Sequence, residues 1–142
     1  MVTMKNLLDS KGCDVWSISP RDVVFDAIKM MADKGVGALP VIEGGKLAGI
    51  ISERDYARKV ILQGRSSKDT PVRDIMTTQV LCVGPEHTID VAMALMTEKH
   101  VRHLPILEDG KIIGIVSIGD LVKSILAEKD YVIGQLESYI AG

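Results

Sequence analysis

The sequence is poor in aromatic residues: one Trp, one Phe and three Tyr make up 4% of the chain. Its core must therefore be aliphatic, and 15 Val, 16 Ile and 12 Leu are there to build it. Cysteine is equally scarce. Cys13 and Cys82 lack CxxC spacing and are too few for a disulfide scaffold, so two reduced thiols of a cytoplasmic protein are expected. Long apolar runs are absent. Stretches such as Leu47–Ile51 and Ile112–Val116 fall far below the ~18 residues of a membrane span, and no membrane partner is expected. Met1 to Gly12 carries no charged segment followed by an apolar run, so no secretory signal is expected either. A one-sided charge is also missing. Seventeen basic against nineteen acidic residues give a net charge of −2, with a pI near 5.9. No basic surplus remains to hold a nucleic-acid backbone by counterion release. A mean hydropathy of +0.20 is high for a small soluble chain and points to a buried self-association face.

What is present is a duplication. The 142 residues suffice for one ordinary domain, or for two marginal units of about 65–70 residues. An offset of 65 residues runs without a gap from Ser17–Val60 onto Cys82–Ile125, and fourteen of the 44 pairs are identical. They include Pro20/Pro85, Met31/Met96, Leu39/Leu104, Pro40/Pro105, Gly49/Gly114, Ser52/Ser117 and Asp55/Asp120. Turn, polar and core positions coincide together, which is the signature of a repeated supersecondary unit.

Each copy predicts strand, helix, strand, strand, helix. Short strands are expected at Val15–Ile18 and Val80–Val83, with Pro20 and Pro85 at the first helical position. Ser19 and Asp22 form a capping-box pattern there. Val24, Ala27, Ile28 and Met31, matched by Ile89, Ala92, Met93 and Met96, form the stripe of a helix with one buried face. Glu43-Gly44-Gly45-Lys46 and Glu108-Asp109-Gly110-Lys111 then join apolar runs as hairpin turns, because glycine accepts positive φ. Ser52 and Ser117 stand where helix N-caps belong. The expected fold class is mixed α+β, two βαββα repeats sharing one aliphatic core. The polar stretch Gly64–Thr70 divides the chain into residues 1–68 and 69–142, each with its own lead-in. Apolar residues from Ile125 to Ile140 suggest a terminal amphipathic helix suited to a partner subunit.

Catalytic signatures fail one by one. There is no GxSxG elbow and no HExxH. Gly45-Lys46 resembles the end of a P-loop, but Pro40 and Leu47 break the pattern. His100 and His103 lack a third metal ligand nearby and read as ordinary polar residues near a surface or cleft. No catalytic residue, metal or catalytic cofactor is expected, and the chain is not expected to be an enzyme. One polar feature recurs: Gly-Ile-[Ile/Val]-Ser-x-x-Asp, over Gly49–Asp55 and again over Gly114–Asp120. Two readings of it stay open. Ser and Asp form a capping box at a helix start. Alternatively, the carboxylate accepts the two hydroxyls of a ribose, while serine and the helix end suit a phosphate. Arg54 and Arg58 add cations within a turn of Asp55, or lie on a solvated face.

These residues together resemble a pair of cystathionine-β-synthase (CBS) domains, the tandem called a Bateman module. The matching pieces are the duplicated βαββα pattern, Val-Gly-Ala-Leu-Pro-Val and Val-Arg-His-Leu-Pro-Ile, the two GIxSxxD segments, and Asp74-Ile75-Met76-Thr77 before the second copy. The chain is similar to stand-alone bacterial CBS-pair proteins over essentially its whole length. The resemblance implies a regulatory module binding an adenine nucleotide in clefts between the repeats, AMP first, with ATP, ADP or NAD(H) as others. It implies a homodimer in the cytoplasm that signals ligand state to an unknown regulated protein, without nucleic acid. Carried over residue by residue, cleft one takes Ile50, Ser52, Arg54, Asp55, Arg58 and Thr77 with Arg102 and His103. Cleft two takes Ile115, Ser117 and Asp120 with Gly37 and Ala38. Cleft one, with its arginines, is the expected stronger phosphate site, since Gly119 stands where Arg54 does. The alternative is a structural interaction dimer with vestigial clefts.

Overall fold

The computed structural model describes residues 1–12 and 14–127. Cys13 and the terminal helix expected over residues 128–142 lie outside the described residues. The order is α1 (Met4–Lys11), α2 (Val24–Lys34), β1 (Ala38–Glu43), β2 (Lys46–Ser52) and α3 (Glu53–Tyr56), which continues as a π-helical turn over Ala57–Ile61. A 3₁₀ turn (Val72–Asp74), α4 (Ile89–Lys99), β3 (His103–Glu108) and β4 (Lys111–Ser117) follow. Residues 118–127 are helical and form the described part of α5.

The two hairpins are copies in register. Ala38 faces Ser52 and Glu43 faces Lys46; His103 faces Ser117 and Glu108 faces Lys111, with the same irregularity after Val41 and after Ile106. Both turns hold two successive left-handed residues, Gly44-Gly45 and Asp109-Gly110. That is the turn geometry whose twist suits a right-twisted hairpin. The expected first strands are shorter than predicted. Each is a single parallel bridge, Ile18 to Val41 and Val83 to Ile106. The next rung would need an amide from residue 20 or 85, and both are proline.

The helices after these bridges start later than the sequence suggests. Pro20 belongs to a turn, closed by Asp22 N–H to the Ser19 carbonyl at 3.1 Å and by Ser19 N–H to Asp22 Oδ2 at 3.1 Å. Ser19 Oγ accepts from Arg21 N–H at 3.2 Å, so only half of the expected capping box forms, around a turn, and α2 begins at Val24. Its buried stripe is Val24, Ala27 and Met31; that of α4 is Ile89, Ala92 and Met96.

The core is two clusters rather than the single one expected, and the lead-ins exchange partners. Met4, Leu7 and Leu8 of α1 pack with Val83, Ile89, Met96, Leu104 and Leu121 of the second repeat. Val72 and Ile75 pack with Val24, Met31, Leu39, Val41 and Ile51 of the first. Backbone bridges Thr3 to Thr88 and Val23 to Pro71 fasten each segment to its host. Grouping residues 1–68 and 69–142 follows chain order; packing pairs each repeat with the other's lead-in. Small repeats lack apolar surface of their own, so each completes its cluster with a borrowed segment.

Candidate ligand-binding cleft

Three segments converge beside the end of β2. The first is the start of α3. Ser52 caps it: Asp55 N–H donates to Ser52 Oγ at 3.2 Å, and Ser52 N–H donates back to Asp55 Oδ2 at 3.0 Å. The second is the strand-like stretch after the 3₁₀ turn, held by the paired bonds Ile50 N–H to Thr77 O and Thr77 N–H to Ile50 O, both 2.9 Å. The third is the end of α4, where His100 closes the helix in a left-handed conformation, φ 56°. The His100 carbonyl accepts from the Arg54 guanidinium at 3.2 Å.

Between them lies a cleft of about 640 Å³. Ile50, Ser52, Arg54, Asp55, Arg58, Thr77, Arg102 and His103, the complete set assigned to cleft one, all line it. Five are from repeat one, two from repeat two, and Thr77 from the segment between. The π-helical turn keeps Arg58 and Lys59 on the cleft side with Asp55; such turns recur at functional sites. Lys59 Nζ lies 3.2 Å from Asp55 Oδ1 and donates to the Ile75 carbonyl at 2.9 Å. Asp55, 13% exposed, is thus held at one oxygen by its cap and at the other by an ammonium. Among the described residues Arg58 and Arg102 form no ion pair, so their charge faces the cleft unneutralised.

The residues assigned to cleft two are not gathered in the same way. Gly37 lines the first cleft, where a Cβ would come within 3.1 Å of Glu53 Oε1 and 3.3 Å of His103 Nε2. Its carbonyl accepts Glu53 N–H at 3.1 Å, which draws the loop toward α3. Ala38 is buried at the start of β1, opposite Ser52. Ser117 and Asp120 form a capping box, with Ser117 N–H to Asp120 Oδ2 at 2.8 Å and Asp120 N–H to Ser117 Oγ at 3.1 Å. A second cavity of about 420 Å³ lies between α1 and α5, and Asp120 alone of that set lines it. There Lys11 Nζ donates to Asp120 Oδ2 at 2.7 Å and to the Ile115 carbonyl at 2.8 Å.

Burial works against ionisation of Asp120, but the hydrogen bond from Lys11 and those from Ser117 outweigh it and hold its carboxyl below the usual range. Burial pushes His103 down; Asp120 opposes this, while Arg102 and Lys11 add to it, so the imidazole is neutral near pH 7. Burial raises the Cys82 thiol, consistent with an inert side chain. Sequence reasoning missed Lys59, Glu53 and Lys11. The i,i+4 spacing of Asp55 and Lys59 was a usable signal; nothing local ties Lys11 to Asp120.

A duplicated α/β unit with a cleft of this size between its copies defines a tandem-repeat module. The chain belongs to the CBS-domain family: the CBS domain model matches residues 10–61 and 72–127. It is 44% identical over 150 residues to the mitochondrial CBS domain-containing protein CBSX3 of Arabidopsis thaliana, covering 99% of this chain and 72% of that protein. A putative signal-transduction protein with CBS domains from Burkholderia ambifaria superposes with a TM-score of 0.86 at 53% identity, over 89% of this chain and 95% of that one. The CBS domain pair of protein MJ0100, solved in complex with 5′-methylthioadenosine and S-adenosyl-L-methionine, shares the fold at 21% identity and a TM-score of 0.77, over 90% of this chain and 98% of that one. Among the described residues no helix is long and apolar enough to cross a membrane, and no cluster of His, Cys, Asp and Glu is placed to hold a metal ion.

Proposed function

We propose that the chain is a regulatory CBS pair that binds an adenine nucleotide, AMP first, and signals its ligand state to a partner protein. One observation supports this most: a carboxylate from repeat one and guanidinium groups from both repeats converge on one cleft of about 640 Å³. That volume falls within the roughly 300–1,000 Å³ of small-molecule sites. Asp55 takes the ribose hydroxyls at Oδ1, where the diol competes with Lys59. Arg54, Arg58 and Arg102, with the freed Lys59, take the phosphate. Ile50, Val80 and Leu81 line the wall available to the adenine, with no Phe, Tyr or Trp for stacking. Protein MJ0100, of the same fold, was solved with two adenosyl compounds, which accords with this ligand class. Reading the phosphate across both repeats couples their orientation to the ligand, and that is the signal. Exposed Val91, Ile118, Val122 and Leu126 on α4 and α5 suit a homodimer face. The location proposed is the cytoplasm.

Calorimetric titration of AMP against Asp55→Ala and Asp120→Ala tests the site. Loss of binding from Asp55→Ala is expected; equal loss from both variants, or loss from Asp120→Ala alone, overturns the assignment. A thermal-shift screen with AMP, ATP, NAD, NADH and S-adenosylmethionine separates the sensor from a scaffold with vestigial clefts, because a bound ligand must raise stability by mass action.

A further inference from the structure

The two repeats treat their acidic caps differently. In repeat one, Lys59 sits four residues after Asp55 on the same helix and bonds both Asp55 and the lead-in carbonyl of Ile75. The repeat offset puts Ser124 at the position of Lys59, so α5 has no ammonium there for Asp120. Lys11 supplies one instead from the borrowed lead-in, reversing the direction of the tie: the lead-in now carries the cation and the repeat carries the carbonyl. The Ile115 carbonyl has a further peculiarity. Its counterpart, Ile50, is paired through its backbone with Thr77; Ile115 is capped by the Lys11 ammonium. One oxygen of the Asp120 carboxylate, Oδ2, and the adjoining Ile115 carbonyl are therefore bound by one side chain, which stands beside the remaining carboxylate oxygen a ribose would approach. Its helix is held by buried Met4, Leu7 and Leu8, and Lys11, the exposed last residue of that helix, carries the ammonium to Asp120.

We infer that Lys11 is a built-in occupant of the second cleft, which bars nucleotide from Asp120 and leaves the module with a single nucleotide site per chain. This inference rests on the reading of the first cleft as an adenine-nucleotide site. Displacing Lys11 opens a second, weaker site, weaker because Gly119 stands in place of Arg54 and Lys123 in place of Arg58.

The test is calorimetric titration of AMP into the full chain, its Lys11→Met and Lys11→Gln variants, and Lys11→Met/Asp120→Ala, with thermal unfolding to verify folding. Met keeps the aliphatic stem, and Gln keeps a donor without the charge. The expected result is one binding event per chain in the wild type, and a second event in both single variants that Asp120→Ala abolishes. Two events in the wild type, or a single event persisting in both folded Lys11 variants, overturns the latch while leaving the first site intact. A wild type that binds no AMP while Lys11→Met binds one molecule dependent on Asp120 upholds the latch and removes the first-cleft reading. No binding by any variant overturns both.

Discussion

Gly49→Ala is expected to damage the cleft wall, and Gly114→Ala, the same change at the paired position, to do less. A Cβ at residue 49 would lie 2.7 Å from the Thr77 carbonyl oxygen and 3.0 Å from Met76 Sδ, whereas ordinary contact begins at 3.4 Å. The carbonyl must retreat by about 0.7 Å to restore contact distance. It cannot do so freely, because it accepts Ile50 N–H while Thr77 N–H donates to Ile50, both at 2.9 Å. With a net value of about 0.5–1.5 kcal/mol per hydrogen bond, weakening this pair costs about 1–3 kcal/mol, the usual range for overpacking. At this chain length that lowers Tm by roughly 3–12 °C. At residue 114 the Cβ would lie 2.5 Å from Leu8 Cδ2 and 3.0 Å from Leu8 Cδ1, the far end of a side chain that is itself packed in the core. A shifted rotamer there costs about 0.5–1.5 kcal/mol. Thermal unfolding by circular dichroism, with AMP titration of the folded variants, measures both effects. Gly49→Ala should be the less stable and the weaker binder, since Thr77 lines the cleft. Equal destabilisation, or a larger loss from Gly114→Ala, refutes the reasoning that a backbone neighbour yields less than a side chain.

Two pH dependences follow from the same residues. His103 titrates below its ordinary 6.5 in the folded chain because burial disfavours the imidazolium. The unfolded chain therefore takes up the proton first, and stability falls as pH drops through 6.5 toward the folded value. His103→Gln should flatten the denaturant-measured stability profile over that interval; an unchanged slope would count against it. Asp120 titrates below its ordinary 3.8, so its stabilisation is complete above 3.8 and lost as pH falls through the lower folded value. The stability gap between wild type and Asp120→Asn should be widest at neutral pH and close at the acid end, and a gap independent of pH would refute the Lys11 contact as its source.

Much of the fold was written in local pattern. The glycine turns, the helix stripes and both Ser-Asp capping boxes depend on residues within a few positions of each other, where backbone preference and side-chain reach decide the outcome. The strand before each helix is shorter than its apolar run for a local reason as well: the missing proline amide removes a rung, but only the parallel partner shows that the rung is needed. The repeat offset likewise fixed which residues occupy equivalent positions, and so grouped Ile50, Ser52, Arg54 and Asp55 at the end of one strand.

The sequence by itself determined the aliphatic composition of the core, the two copies and the residue types at their caps. Tertiary structure decided which copy each lead-in completes, because Met4 and Val72 present similar apolar faces and only the connection across the molecule selects their hosts. It also decided that Gly37 belongs with His103 in the first cleft and that Lys11 reaches Asp120. An ammonium more than a hundred residues away in sequence leaves no trace in local spacing; its energy comes from the distance between charges in space, which the fold alone sets.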